Sequence, residues 1–178
     1  PEERIRFARQ VLSELGAPAS DNNLVILLTW MAGEVDLGQT EFAANNPLNT
    51  TKRGGEPGDE DREIYEVFNE AGVRSYPDWD TGVNRTVATL RDSDFDPIEQ
   101  ILLRGDTTLE EFNQDPAVQA ALTIWSGGGY TQGLVADPVE HGIIAALEGD
   151  LTSTQPTGGG RSDSTFGDKS GNQPAGGP

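Results

Sequence analysis

The first 36 positions hold two very different hydrophobic patterns. Over residues 2–15, Ile5, Ala8, Val11, Leu12 and Leu15 recur at helical spacing and share one face. Gly16 supplies the stop. The next segment, 22–34, follows Ser20 and Asp21, either of which can cap free amides at a helix start. Its apolar residues, Leu24, Val25, Ile26, Leu27, Leu28, Trp30 and Met31, run all the way round. A helix apolar on every side belongs inside a domain, so this segment is predicted to be the central buried helix.

The pattern then breaks. Residues 35–79 carry "NNPLN", "RGGEPGDED" and "SYPDWD", with short strands predicted only near 63–68 and 72–76. An irregular excursion this long inside a domain is usually functional or disordered. Helical spacing returns over 80–92 with Val83, Val87 and Leu90. Three later helices are expected to open on the pairs Asp96-Pro97, Asp115-Pro116 and Asp137-Pro138. Aspartate caps the free amides and proline suits the first helical position. Gly105 and Gly149 are expected to close two of these helices. The predicted fold is mainly α, around one buried helix, with an irregular, short-strand excursion after it.

Composition divides the chain. Residues 152–178 hold no Ile, Leu, Val or Met and one aromatic, Phe166. Such a segment cannot bury enough apolar surface to offset its ordering entropy. The expected organisation is a domain over 1–151 and a flexible Gly/Ser/Pro-rich tail or linker over 152–178. The start at Pro1, without Met, suggests a processed product or a piece of a larger chain.

Charge and cysteine content exclude several classes. The net charge is −18, from 12 basic and 30 acidic residues. The tail is neutral, with Arg161 and Lys169 against Asp163 and Asp168, so the excess sits on 1–151. Without a basic stripe, nucleic acid and anionic membranes are poor partners. The acidity serves solubility and self-repulsion. The longest apolar run, 24–32, is too short to span a bilayer, so membrane insertion is not expected. There are no cysteines, hence no disulfides and no thiolate chemistry. His141 is the only histidine, which argues against a His-based triad or a zinc site. Neither a calcium loop, a P-loop nor a dinucleotide fingerprint is present, so no cofactor and no metal are expected.

Two features carry candidate chemistry. Glu34 closes the oily helix in "TWMAGEVD". Apolar surroundings and the negative end of the helix dipole both disfavour its charged form. A carboxylic acid held protonated near neutral pH is what a general acid requires. The plainer alternative is a solvent-exposed glutamate at a helix end. The second feature is the run "NNPLNTT", 45–51. Uncharged amides and hydroxyls suit a neutral polyhydroxyl ligand such as an acetamido sugar. The alternative is turn chemistry, which weighs most for Asn45 and Asn46, whereas Asn49, Thr50 and Thr51 together point to a ligand or site-shaping role. Trp30 and Trp125 lie on predicted helices and read as core, while Trp79 could be core or cleft rim. The three glycines of "WSGGGYT" allow close backbone approach to a ligand or a flexible helix end.

The order W-x-x-x-E, NNPLNTT, N-x-x-G-V-x-x-Y and G-x-x-x-T-x-x-T-L resembles a lysozyme-like domain family of bacteriophage tail and lysis proteins and related bacterial cell-wall enzymes. The residues are Trp30 and Glu34; 45–51; Asn69, Gly72, Val73 and Tyr76; and Gly82, Thr86, Thr89 and Leu90. The resemblance covers roughly residues 20–105, with 123–131 as a late element. It implies a lysozyme-like helical fold whose glutamate, here Glu34, cleaves the β-1,4 glycosidic bond of peptidoglycan. It implies that Asn46, Asn49, Thr50 and Thr51 line the cleft and that Tyr76 lies near the scissile sugar. It further implies a virion-associated, extracellular or periplasmic location, with other virion proteins as partners through 152–178. The chain departs from the pattern at Val35, where the family usually has glycine, and in the acidic loop 54–66. The Gly-Leu-Met-Gln stretch of many lytic transglycosylases is absent.

Glycosidases usually pair two carboxylates. Asp36, Glu41 and the loop around Asp59–Asp61 are the candidates for the second, and sequence does not choose among them. A transglycosylase route would need Glu34 alone. Two readings from other classes stand beside the enzyme: a virion or tail structural protein on a lysozyme-like scaffold with weak or lost catalysis, and a non-catalytic glycan-binding module.

Overall fold

The computed structural model describes residues 2–36, 43–52, 65–130, 132–134 and 142–153. Among them are seven α-helices and one two-stranded sheet: α1 (Glu2–Leu15), α2 (Asp21–Asp36), β1 (Glu66–Val67), β2 (Arg74–Ser75), α3 (Trp79–Leu90), α4 (Asp96–Arg104), α5 (Leu109–Gln114), α6 (Pro116–Trp125) and α7 (Ile143–Ser153). The mainly α expectation holds, and the strands fall within the predicted excursion. They pair antiparallel, Glu66 opposite Ser75 and Val67 opposite Arg74. No described helix is long and apolar enough to cross a membrane.

The single core is built around α2, which packs against α1, α5 and α7. Ile26, Leu27, Trp30 and Met31 of α2 are fully buried, as its all-round hydrophobicity requires. Its start is pinned by polar side chains. Ser20 Oγ accepts from the Asn23 amide and donates to the Gly105 carbonyl at 2.6 Å. The buried Asn23 side chain donates to the carbonyls of Pro18 and Leu102, at 2.8 and 2.7 Å. Gly105, at φ 74°, ends α4 as expected, and its left-handed turn lets the two helix ends meet. This fixes the axis of α2 and therefore the place of Glu34 at its far end.

The α1 stripe is buried as predicted, and Phe7, off that stripe, is buried too. Phe7 meets Trp79 edge-on with ring centroids 4.9 Å apart, so Trp79 packs on the core. Asp115 caps α6 as expected, its carboxylate accepting from the amides of Ala117 and Val118. Asp96 does not cap α4. A 3-10 turn, Ser93–Phe95, runs directly into the helix, and Asp96 is its first residue. Gly149 does not close a helix either, since α7 continues to Ser153. The Asp137-Pro138 pair, His141 and residues 154–178 lie outside the described residues.

Candidate functional site

The asparagine turn is folded by its own side chains and laced to β2. Asn45 and Asn49 both take the left-handed conformation, at φ 55° and 54°, which asparagine tolerates better than most residues. Asn46 uses every polar atom on its side chain. Its amide donates to the carbonyls of Thr50 and Arg74, at 2.9 and 2.7 Å. Its carbonyl oxygen accepts from the Thr50 amide and hydroxyl. The Arg74 amide donates to the Thr50 carbonyl, the Tyr76 amide to the Ala44 carbonyl, and the Asn45 side chain to the Tyr76 carbonyl. Leu48, fully buried, anchors the turn in the core. Gly82 lets α3 pass against it: a Cβ there would run into the Asn45 carbonyl oxygen.

Asn46 and Tyr76, each 2% exposed, hold the turn together. The Tyr76 hydroxyl has one proton for two acceptors, Thr50 Oγ1 at 2.9 Å, whose own proton goes to Asn46, and the Lys52 carbonyl at 3.2 Å. Burial pushes its pKa up to about 12, so the phenol stays neutral. Turn chemistry, weighed at sequence level for Asn45 and Asn46, is what these two residues supply.

Glu34 sits in the last turn of α2 and is 7% exposed, so the solvent-exposed alternative is overturned. Three donors converge on its carboxyl. Trp30, one helical turn earlier, donates its indole N–H to Oε1 at 3.2 Å. The Tyr130 hydroxyl donates to the same oxygen at 2.9 Å. The Asn49 amide donates to Oε2 at 2.9 Å. Burial raises the pKa of Glu34 and is the largest influence; the side chains of Asn49, Tyr130, Trp30 and Trp125, in that order, pull it down. A raised pKa is the net result, reached against four side chains that favour the carboxylate.

Tyr130 is the site residue that sequence reasoning missed. It lies 96 positions from its partner, and no local pattern encodes so distant a contact. The glycines before it give the one signal. Gly127 and Gly128, at φ 60° and 107°, reverse the chain after α6 and turn Tyr130 inward. Gly33 completes the fit, because a Cβ at that position would lie 3.1 Å from the Tyr130 hydroxyl.

Beside the turn is a cleft of about 360 Å³ contributed by three segments. Residues 49–52 supply Asn49, Thr50, Thr51 and Lys52; Thr89, Asp92 and Phe95 come from the end of α3 and beyond; Ile124 and Trp125 end α6. Trp125, read from sequence as core, is half-buried and shared between core and cleft. Its ring meets Trp30 and Phe95 edge-on, at 4.5 and 5.2 Å, and its N–H donates to the Leu48 carbonyl. Asn49 both lines the cleft and bonds Glu34, so one side chain joins carboxyl and cleft.

Among the described residues no three His, Asp or Glu side chains are grouped to hold a metal ion. Asp36 ends α2, and Glu41 and Asp59–Asp61 lie outside the described residues. No protein-family model, no curated protein and no solved structure matches this chain.

Proposed function

We propose that this chain cleaves the β-1,4 glycosidic bond of bacterial peptidoglycan, with Glu34 as the general acid, in a lysozyme-like domain carried to the cell wall by a phage particle. The observation that carries the reading is a buried carboxyl with a raised pKa, bonded to a residue that lines an open cleft. An acid must hold its proton until the leaving oxygen takes it, and burial supplies that condition at the end of α2. The three donors then stabilise the carboxylate left behind, so proton release does not strand a bare charge in the core. The cleft suits a pyranose chain. Amide and hydroxyl groups of 49–51 match the sugar's polar edge, and Trp125, Phe95 and Ile124 offer apolar contact to its ring faces.

Catalysis also requires Asn49 to move aside, because Glu34 itself does not line the cleft. A non-catalytic glycan-binding module is the second reading, favoured by one observation: all three donors to Glu34 come from the protein and already satisfy both carboxyl oxygens. Incubating the chain with purified peptidoglycan of several wall types separates the two. Release of soluble muramyl fragments supports the enzyme. Sedimentation with the wall without release supports the binding module.

A further inference from the structure

The cleft holds a charged pair that neither the general acid nor the asparagine turn explains. Among its described lining residues Lys52 is the one cation and Asp92 the one anion. Lys52 Nζ donates to Asp92 Oδ2 at 2.6 Å, which joins the turn to the segment after α3. The two side chains are 22% and 49% exposed, and ion pairs this open contribute little to stability. Yet the position of Lys52 is fixed with care. Its carbonyl lies 3.2 Å from the buried Tyr76 hydroxyl, which shares its proton between this oxygen and Thr50 Oγ1. An ammonium has three N–H groups, and Asp92 takes one of them.

We propose that Lys52 is a specificity residue, presenting its remaining donors to a carboxylate carried by the ligand, with Asp92 holding the ammonium in place. The inference rests on reading the cleft as a glycan site. It narrows the ligand class to acidic glycan strands that bear peptide or lactyl carboxylates, in preference to neutral β-1,4-linked N-acetylglucosamine polymers. The chain has 30 acidic against 12 basic residues, so a cleft without Lys52 would repel such a ligand. Among the described lining residues the pair leaves no net charge, and the ammonium stands next to the hydroxyls and amides that would grip the sugar.

The test is calorimetric binding of two soluble probes to the full chain: muramyl-peptide-bearing glycan fragments and a neutral N-acetylglucosamine hexamer. Lys52→Met keeps the aliphatic stem and removes the charge, and Lys52→Arg keeps the charge. The wild type is expected to prefer the acidic fragment, with the preference shrinking as salt is raised. Lys52→Met should lower the ratio of the two affinities about tenfold, the size of one lost charge-assisted bond, and Lys52→Arg should restore most of it. An unchanged ratio in Lys52→Met, an equal loss for both probes, or a wild type without preference would overturn the proposal. Selective binding without cleavage would refute the enzyme and leave the role of Lys52 standing. Cleavage with an unchanged ratio would do the reverse.

Discussion

Replacing Tyr130 with phenylalanine removes one oxygen and keeps the ring that fills the site. The lost group lies 2.9 Å from Glu34 Oε1, with both residues buried. Burial, and then the charge of Glu34, push the phenol's own pKa upward, so it is a neutral donor throughout the working range. Against an ionised Glu34 the lost bond is charge-assisted and worth about 1.5–3 kcal/mol; against the protonated acid it is worth about 0.5–1.5 kcal/mol. The difference, about 1 kcal/mol, shifts the Glu34 pKa. Its sign is upward, because the bond favours the carboxylate.

Wild-type Glu34 already lies above its ordinary value of 4.5. A raised carboxyl contributes stability that is full below the unfolded pKa and is lost as pH rises through the folded one. Tyr130→Phe extends that loss to higher pH. Its destabilisation should therefore grow by about 1 kcal/mol between about pH 4 and the plateau above the folded pKa. Urea unfolding across that range measures it, and a carbon-13 titration of the Glu34 carboxyl reads the pKa itself. The basic limb of any cleavage profile should move upward with it, since the acid must be protonated to act. A penalty that is the same at every pH, or a Glu34 pKa that falls, would refute this account of the site.

Two further substitutions test the turn. Gly82→Ala drives a methyl group into the Asn45 carbonyl oxygen, a backbone atom that cannot rotate away; it should cost about 3 kcal/mol or more in urea unfolding. Asn46→Asp replaces a double donor with an acceptor facing the carbonyls of Thr50 and Arg74. It should cost about 3 kcal/mol near neutral pH and less in acid, where the new carboxyl can donate one bond; a penalty independent of pH would contradict the assigned hydrogen bonds.

Legibility in the sequence followed the range of the forces involved. The α1 stripe and the oily α2 are local patterns, and both helices fold as read. Trp30 and Glu34, four residues apart on a helix, were bound to share a face. α5 escaped because Leu109 and Phe112 alone make no periodic stripe, although "TLEE" spells the capping box that Thr108 and Glu111 form. Asp96 misled because the same Asp-Pro pair that caps α6 here follows a 3-10 turn that has already started the helix. Gly149 stands inside α7 because a glycine ends a helix only where the chain must turn left-handed. The roles within "NNPLNTT" were divided only in part from sequence, with turn chemistry weighing most for Asn45 and Asn46 and a site-shaping role for Asn49, Thr50 and Thr51, while the partners of each stayed unread. Asn46 and Asn49 are chemically identical, and only the tertiary fold sends one to the carbonyls of Thr50 and Arg74 and the other to Glu34.

The role of Glu34 is tested most directly by mass spectrometry of glycan fragments from purified peptidoglycan, digested by the wild-type chain and by Glu34→Gln. The glutamine can keep the bonds from Trp30 and Tyr130, and rotation of the Asn49 amide lets it meet the new donor, so the variant isolates the loss of the acidic proton. The account predicts cleaved strands from the wild type, with reducing ends if water attacks or anhydro ends if the sugar's own hydroxyl does, and none from Glu34→Gln. Full cleavage by Glu34→Gln, or no cleavage by the wild type on any wall, would contradict it.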